Sequence, residues 1–309
     1  MAHNFGLQPR HPRDRDNRLK LSIIIATHAR PDSLTRLIGS LTPQLHVNSH
    51  ELIVAENGTP APAPLTRGSM LLVHLHEPRP GKCRIQNRAI RASHGEIVVC
   101  LDDDLVAAPD YVASVEQFFA AHPEFAAMKG RVLAAEDPEE RVGRALAVYL
   151  DLPIADHGED VVEVRGVLGA NMAFRRTALD RVGLFDERLG PGAAGHEEET
   201  EMSRRLRRAG FRIGYAPGAI VYHEVDPARA DRTRFLRIAR ERGFCRTLHE
   251  RHTTPRVTLA IMMASAGYLA ARTRKAAPER IARAEKRLEI ALGMRDGLRA
   301  RHAARRSDR

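Results

Sequence analysis

The segment IVVCLDDDL, residues 97–105, joins a continuous apolar run to three consecutive aspartates, Asp102, Asp103 and Asp104. An apolar run of this length is typical of a strand that is buried on both faces of a sheet. Adjacent carboxylates at the end of such a strand repel one another, so a cation stabilises the cluster. Mg²⁺ and Mn²⁺ prefer carboxylate oxygens and often share them with substrate phosphates. The segment therefore predicts a metal–phosphate site at a strand end; a solvated acidic turn is the alternative.

Apolar runs upstream of this segment predict its neighbours in the sheet. Residues 21–26 and 51–55 are such runs. Between them, leucines recur at helical spacing, which predicts a helix. Alternation of strands and helices predicts an α/β fold with a doubly wound, mostly parallel sheet. Ligands bind these sheets beyond the carboxyl ends of the strands. Because Thr27, Glu56 and the three aspartates each follow a predicted strand, we expect them to share one edge.

The composition excludes several classes of protein. Cys83, Cys100 and Cys245 are far apart and odd in number, which argues against a disulfide framework and fits a reducing, cytoplasmic compartment. A hydrophobic fraction of 43% supports a sizeable core. Basic chains often bind nucleic acid, but five Tyr, nine Phe and no Trp leave few rings for base stacking. We therefore expect no nucleic-acid partner.

Charge and composition divide the chain into three parts. Residues 1–18 lack an apolar segment, which predicts a disordered leader rather than a secretory signal. Residues 19–226 are long enough for one catalytic α/β domain. Residues 227–309 are rich in arginine and predict a basic helical C-terminal extension, whose own excess of positive charge is larger than the formal net charge of +10 of the whole chain.

The uncharged segment VTLAIMMASAGYLAA, residues 257–271, is the most apolar part of this extension. Its 15 residues fall short of the roughly 20 that a membrane-spanning helix needs. Since arginine-rich helices flank it, we predict a peripheral contact with the anionic inner face of the cytoplasmic membrane. A helical cap on the catalytic domain and a homodimer contact are the alternatives.

Six motifs in a fixed order resemble those of the family-2 glycosyltransferases. The resemblance covers roughly residues 19–224 and rests on SIIIATHARPDSL, ELIVAENGT, GKCRIQNRAIRASHGEIVVCLDDDL, GVLGANMAFRRTAL, HEEETEMSRRLRRAGFRIGYAP and VYHE. It implies a GT-A fold with a Rossmann-like nucleotide-binding half and an acceptor half. It also implies an inverting enzyme, dependent on Mn²⁺ or Mg²⁺, that acts in cell-surface polysaccharide, glycolipid or glycoconjugate biosynthesis. The donor would be a UDP, GDP or dTDP sugar, and the acceptor a glycan or a lipid-linked sugar.

The resemblance assigns the nucleotide end of the site. Thr27 and Glu56 correspond to positions that hold the nucleobase, although the family usually has Asp where Glu56 stands. Arg30 and Arg84 would bind the nucleotide sugar as charge-assisted donors. Asn171, in the small-residue segment GVLGAN, would line the pocket for the donor sugar or the acceptor.

The metal ligands are assigned in the same way. Asp104 would coordinate the metal directly, and His223 would supply a further ligand. Asp102 and Asp103 would contact the ribose or bound water, or share the metal. The sequence leaves the order of these roles open.

The acidic run Glu197–Glu199 corresponds to the family's Glu-Asp-x-Asp motif. Alignment on Met202 and Arg205 puts the catalytic base at Glu199, again with Glu in place of Asp. A slip of one residue would nominate Glu198, and we keep both as candidates. No covalent nucleophile is evident, which agrees with an inverting displacement.

Two other functions remain open. A nucleotidyltransferase of sugar phosphates usually has a glycine-rich phosphate loop after the first strand, and residues 27–31, THARP, contain no glycine. A catalytically degenerate glycosyltransferase fold that serves as a binding module is favoured only by the two Glu-for-Asp replacements.

Overall fold

A computed structural model describes residues 20–46, 49–58 and 72–307. The predicted leader, residues 1–18, lies outside these ranges, and the domain boundary at residue 226 stays a prediction. In the described part of the chain, one mixed sheet carries the fold. Its strands are β1 (Leu21–Thr27), β2 (His50–Asn57), β3 (Leu72–Glu77), β4 (Ile97–Asp102), β5 (Leu105–Ala107), β6 (Phe125–Ala134), β7 (Val162–Glu163), β8 (Asn171–Arg175) and β9 (Arg212–His223).

The strand order is β3-β2-β1-β4-β8-β6-β9-β5, and β7 pairs with β9. Strands β1 to β4 are parallel, as the alternating pattern predicts. Strand β8 is antiparallel to both β4 and β6, and β6 is parallel to β9. The predicted α/β sheet is therefore confirmed, with β8 inserted between its two parallel parts.

Strand β9 corrects one expectation from the sequence. Pro217 and Gly218 predict a break between two short strands, but residues 212–223 form one strand. Its pairing with β6 shifts register between Ala216 and Ile220, so the Pro-Gly pair is accommodated in a bulge. The continuous strand carries His223 to the same edge as the aspartates, because β5 pairs Leu105 with His223.

Helices cover both faces of the sheet. Alternate residues of β1 point to opposite sides: Ile23 and Ile25 join one buried cluster, and Ile24 joins the other. The helices are α1 (Pro31–Leu41), α2 (Lys82–Ala92), α3 (Tyr111–Ala121), α4 (Pro138–Val142), α5 (Arg144–Ala147), α6 (Arg176–Val182), α7 (Glu198–Arg208), α8 (Arg232–His249), α9 (Thr254–Thr273) and α10 (Pro278–Ser307).

The last three helices form the C-terminal extension. Helices α8 and α10 cross so closely that a Cβ atom added at Gly243 would overlap the carbonyl oxygen of Ile290. Helix α9 packs along α10 and buries Val257 and Ala271. None of the helices in the described ranges combines the length and the apolar character that crossing a bilayer requires.

Candidate active site

The carboxyl ends of β1, β2 and β4 meet at one edge of the sheet. Pairing places Ala26 beside Asp102 and Thr27 beside Glu56. Thr27, Glu56, Asp103 and Asp104 are all buried there. Buried carboxylates need compensating charge or hydrogen bonds, so their partners define what this edge can bind.

Asp103 is held by the loop that follows β1. The hydroxyl of Thr27 donates to its Oδ2 at 2.7 Å, and Nη1 of Arg30 donates to its Oδ1 at 3.0 Å. Burial raises the pKa of Asp103 against the lowering effect of Arg30 and Thr27. Ala29, which lies between Thr27 and Arg30 in the sequence, has a φ of +52°, a value that residues other than glycine rarely adopt. The carboxylate of Asp103 thus fixes a strained loop beside Asp104, which Arg30 of the same loop also contacts.

Asp104 and His223 face each other. The Nδ1 of His223 lies 2.7 Å from the carbonyl oxygen of Glu224, and a carbonyl only accepts, so Nδ1 carries the proton. The Nε2 then points at Oδ1 of Asp104, 3.3 Å away. In neutral imidazole this atom has only a lone pair, so two acceptors would oppose each other. A second proton or a metal ion between them removes the repulsion.

Two arginines bind the other oxygen of Asp104. Arg30 and Arg229 each donate to Oδ2 at 2.8 Å. Burial disfavours the Asp104 carboxylate, but its electrostatic interactions with His223, Arg229 and Arg30 outweigh burial and hold its pKa below the usual range. Sequence reasoning missed Arg229, because it lies in a turn, Pro227–Arg229, after the last matched motif.

The donor atoms fit a hard or borderline divalent cation. Oδ1 of Asp104 and Nε2 of His223 converge, while the arginines occupy Oδ2. Among the described residues, no group of three or more ligating side chains could hold an ion by itself. Mg²⁺ sites usually combine one or two protein ligands with water and substrate phosphates, so a pair is a sufficient protein contribution.

Asp102 has a different partner. Its Oδ1 accepts a short hydrogen bond from Nζ of Lys82, the first residue of α2. Nζ also lies 4.0 Å from Oε1 of Glu198. Burial disfavours the Lys82 ammonium, but Asp102 and Glu198 outweigh it and raise the pKa of Lys82. In this structure Asp102 is thus engaged by Lys82, and its predicted share of the metal stays a prediction.

Glu198 and Glu199 begin helix α7 but differ in their surroundings. Glu198 is buried, and this burial together with the charge of Glu199 raises the pKa of Glu198 to about 8. Glu199 is half-buried. The charge of Glu199 also favours the ammonium form of Lys129. Burial has the larger effect on Lys129, however, and lowers its pKa. Of the two candidates for the base, Glu199 is therefore the more accessible to an acceptor.

Glu197 connects this helix to the C-terminal extension. It has a φ of +77°, a strained conformation for a residue other than glycine. Nε of Arg246 lies 3.2 Å from its carboxylate, and Nε2 of His249 lies 3.7 Å away. Burial disfavours the Glu197 carboxylate, but His249 and Arg246 outweigh it and hold its pKa below its ordinary value. Helix α8 thus fixes the backbone directly before Glu198, which no motif predicted.

Asn171 corrects a sequence prediction. Its side chain is fully buried and its amide is bound within the protein: Oδ1 accepts from the hydroxyl of Tyr111 at 2.8 Å, and Nδ2 donates to the carbonyls of Ala219 and Arg131 at 2.9 Å and 3.2 Å. The prediction that Asn171 contacts a sugar is wrong in this structure. It instead ties β8 to β6 and β9.

Glu56 and Arg84 are the two remaining residues that the resemblance assigns to the nucleotide. Nε2 of His74 lies 2.9 Å from Oε2 of Glu56. Nε of Arg84 lies 3.8 Å from a carboxylate oxygen of Glu187, too long for a hydrogen bond, and is buried without a hydrogen-bond partner in the described part of the chain. An unsatisfied buried donor of this kind is ready to bind an anionic ligand.

Comparison with known proteins agrees with this arrangement. The sequence model of the family described as glycosyltransferase like family 2 matches residues 20–245. The chain belongs to this family. It is therefore a glycosyltransferase, and the resemblance predicted from its motifs is confirmed.

Relatives and solved structures of this glycosyltransferase are distant. A glucosyl-dolichyl phosphate glucuronosyltransferase of Haloferax volcanii is 22% identical over 69% of the chain and 72% of its own length. A pre-mycofactocin glycosyltransferase of Mycobacterium tuberculosis is 26% identical over 70% of the chain, which spans only 44% of that relative. A mannosyltransferase from Pyrobaculum calidifontis, solved with GDP-Man and Mn²⁺, superposes with a TM-score of 0.54 at 20% identity, covering 94% of this chain and 76% of that one. This last likeness shows the GT-A fold.

Proposed function

We propose that this glycosyltransferase is a metal-dependent, inverting enzyme that moves a sugar from a nucleotide-diphosphate sugar to an acceptor hydroxyl. One observation carries the proposal. Lys82 brings one aspartate at the end of β4, Asp102, and one glutamate at the start of α7, Glu198, to the same ammonium group. The sheet edge that carries the proposed metal ligands therefore lies beside the helix that carries the candidate base, as transfer from a diphosphate requires.

The donor diphosphate would bind at Asp104 and His223. These residues would hold Mn²⁺ or Mg²⁺, which when bound neutralises charge on the leaving diphosphate. Arg30 and Arg229 supply guanidinium groups beside this position, and their fork geometry suits phosphate oxygens. The mannosyltransferase solved with GDP-Man and Mn²⁺ supports this chemistry by analogy of fold.

The nucleoside would extend along the strand ends toward β2. We propose that Thr27 and Glu56 contact the base, that Asp102 and Asp103 contact the ribose, and that Arg84 binds the nucleotide. The common edge of Thr27, Glu56, Asp102 and Asp103 supports the first two contacts, and the unsatisfied buried donor of Arg84 supports the third. The pair formed by Glu56 and His74 adds a donor and an acceptor at the base position.

Glu199 would act as the general base. Its half-buried carboxylate accepts the proton of the acceptor hydroxyl while that oxygen attacks the anomeric carbon. One carbon–oxygen bond forms as the bond to the diphosphate breaks, on opposite faces of the sugar, so the configuration inverts. Glu198 is buried with a raised pKa and lies near Lys82, which suits it to positioning rather than to proton transfer.

We further propose a role in cell-surface polysaccharide, glycolipid or glycoconjugate biosynthesis, with a glycan or lipid-linked acceptor. The relative that acts on a glucosyl-dolichyl phosphate supports a lipid-linked acceptor.

Calorimetric titration of UDP, GDP and dTDP, with and without Mn²⁺, tests the donor site directly. We expect Mn²⁺ to tighten binding of one nucleotide, and Asp104→Asn to abolish that gain. Asp180→Asn, at an exposed aspartate of α6, is the matched control and should bind like the wild type. Equal binding with and without metal, or an unaffected Asp104→Asn, would refute the metal site. Metal-dependent binding without nucleotide release from any donor sugar would instead favour a binding module.

A further inference from the structure

Helix α9 exposes an apolar strip to solvent. Leu259, Met262, Met263 and Leu269 are 54%, 57%, 67% and 64% exposed, and Ala266 is exposed between them. Their spacing of three and four residues places these side chains on one face of the helix. The opposite face buries Val257 and Ala271. Helix α9 therefore has two apolar faces. One packs against the rest of the protein, and the other, the apolar strip, faces solvent.

Along the sequence, the charged residues next to this apolar strip are all basic. Residues 251–275 contain four arginines and one lysine but no carboxylate. Arg256 lies three residues before Leu259, and Arg272 lies three residues after Leu269, so a cation stands beside each end of the strip. In the described ranges, no carboxylate forms an ion pair with either of these arginines.

We propose that the apolar strip of α9 docks on the surface of an anionic lipid bilayer, with the helix lying in the plane of the headgroups. Apolar side chains would enter the acyl boundary while the flanking cations contact lipid phosphates. A second copy of the chain is a poorer occupant. Symmetric pairing of two strips would bring their basic flanks together, and like charges across an interface oppose association.

The position of α9 gives this contact a consequence for the active site. His249, at the end of α8, lies 3.7 Å from Glu197, which precedes the candidate base. Helix α9 begins at Thr254, with only four residues between it and His249, and the five Cα–Cα steps that join them span at most about 18 Å. A membrane under α9 would therefore lie near the start of α7. This last step rests on the proposed function and favours an acceptor anchored in the lipid.

Flotation of the full chain with lipid vesicles tests the docking surface without any sugar donor. We expect binding to vesicles of phosphatidylglycerol and phosphatidylcholine in equal parts, and weaker binding as salt is raised. Met262→Glu with Met263→Glu should reduce the partition coefficient about tenfold or more, because charges at the acyl boundary oppose insertion. Val161→Glu with Val162→Glu, at two exposed valines of 38% and 39%, is the matched control and should bind like the wild type.

Four results would overturn the proposal. These are no flotation at low salt, equal flotation with phosphatidylcholine alone, a Met262/Met263 variant that binds like the wild type, and a dimer in sedimentation velocity that this variant abolishes. The last result would assign the strip to a second copy. Thermal unfolding checks that each variant folds, and Leu259→Ser with Leu269→Ser replaces the first variant if it does not. Because no donor is used, failure here leaves the transferase proposal untouched.

Discussion

The ammonium group of Lys82 lies 4.0 Å from the carboxylate of Glu198 and also donates a hydrogen bond to Asp102. These carboxylates come from different elements, the end of β4 and the start of α7. The two acidic clusters of the sequence are thus parts of one site, joined by a residue that stands in neither cluster.

Lys82→Met removes the shared cation, so we expect it to lower both activity and stability. Asp102 would lose its charged partner, while Glu198 would keep its proton more firmly, because the charge of Lys82 lowers the pKa of Glu198. We expect a loss of about 1–3 kcal/mol in the free energy of unfolding, below the range for fully buried pairs because Asp102 is partly exposed. Without Lys82, the end of β4 and the start of α7 should shift relative to each other, and we expect this shift to lower kcat by about a hundredfold. Lys286→Met breaks a pair of similar burial with Asp151 in the extension and is the control. Similar kcat losses in both variants would contradict a local role for Lys82.

The two glutamates of α7 can be separated by isosteric amides. Glu199→Gln removes the candidate base, and we expect kcat to fall by about 10²–10⁴ while the affinity for the nucleotide stays unchanged. Glu198→Gln replaces a carboxyl group whose pKa of about 8 already favours the proton near neutrality, so we expect a smaller loss. Single-turnover rates and nucleotide titrations of both variants give the comparison. The reverse order of effects would move the base to Glu198.

Glu198 should also make the stability of the protein depend on pH. Burial and Glu199 raise the pKa of Glu198 from 4.5 to about 8, so between these values the folded state keeps a proton that the unfolded chain has lost. Its contribution is fully present below about 4.5 and is lost as the pH rises through about 8. Urea unfolding should show the wild type losing up to about 1.4 kcal/mol per pH unit relative to Glu198→Gln over this range. Parallel curves for the two proteins would rule this linkage out.

The edge of the sheet could be predicted from the sequence because local patterns determine it. Continuous apolar runs mark β1, β2 and β4, and a polar residue directly after a buried parallel strand can only lie at the carboxyl edge. Thr27, Glu56 and the three aspartates are therefore found together. His223 joins them through the pairing of β5 with β9.

The remaining partners depend on tertiary packing that no local pattern encodes. Asn171 resembles a sugar-binding amide in the sequence, but Tyr111 of α3 binds it, and any side chain at Gly130 would overlap it. Arg229 and Arg246 look like two of many arginines in a basic tail. Arg246 reaches Glu197 only because α8 folds back to the start of α7.

Arg246→Met tests whether the extension positions the candidate base. Glu197 would keep its strained φ of +77° with less to hold it, so the start of α7 should shift. We expect kcat to fall about tenfold with the KM for the donor unchanged, and Arg246→Lys to restore part of it. Arg237→Met, which breaks an exposed pair with Glu241 on the same helix, should have no effect on either constant. If Arg246→Met raised KM and left kcat alone, the positioning role would be wrong.

Two glycines of the extension should respond oppositely to the same substitution. A methyl group at Gly243 would overlap the carbonyl oxygen of Ile290, so Gly243→Ala must push α8 from α10 and should lower the free energy of unfolding by about 1–3 kcal/mol. Gly267 lies on exposed α9 with nothing within 4 Å of an added Cβ, and Gly267→Ala should raise that free energy by up to about 1 kcal/mol through helix propensity. Urea unfolding measures both. Because α8 carries Arg246, Gly243→Ala should also lower kcat, whereas Gly267→Ala should leave kcat unchanged.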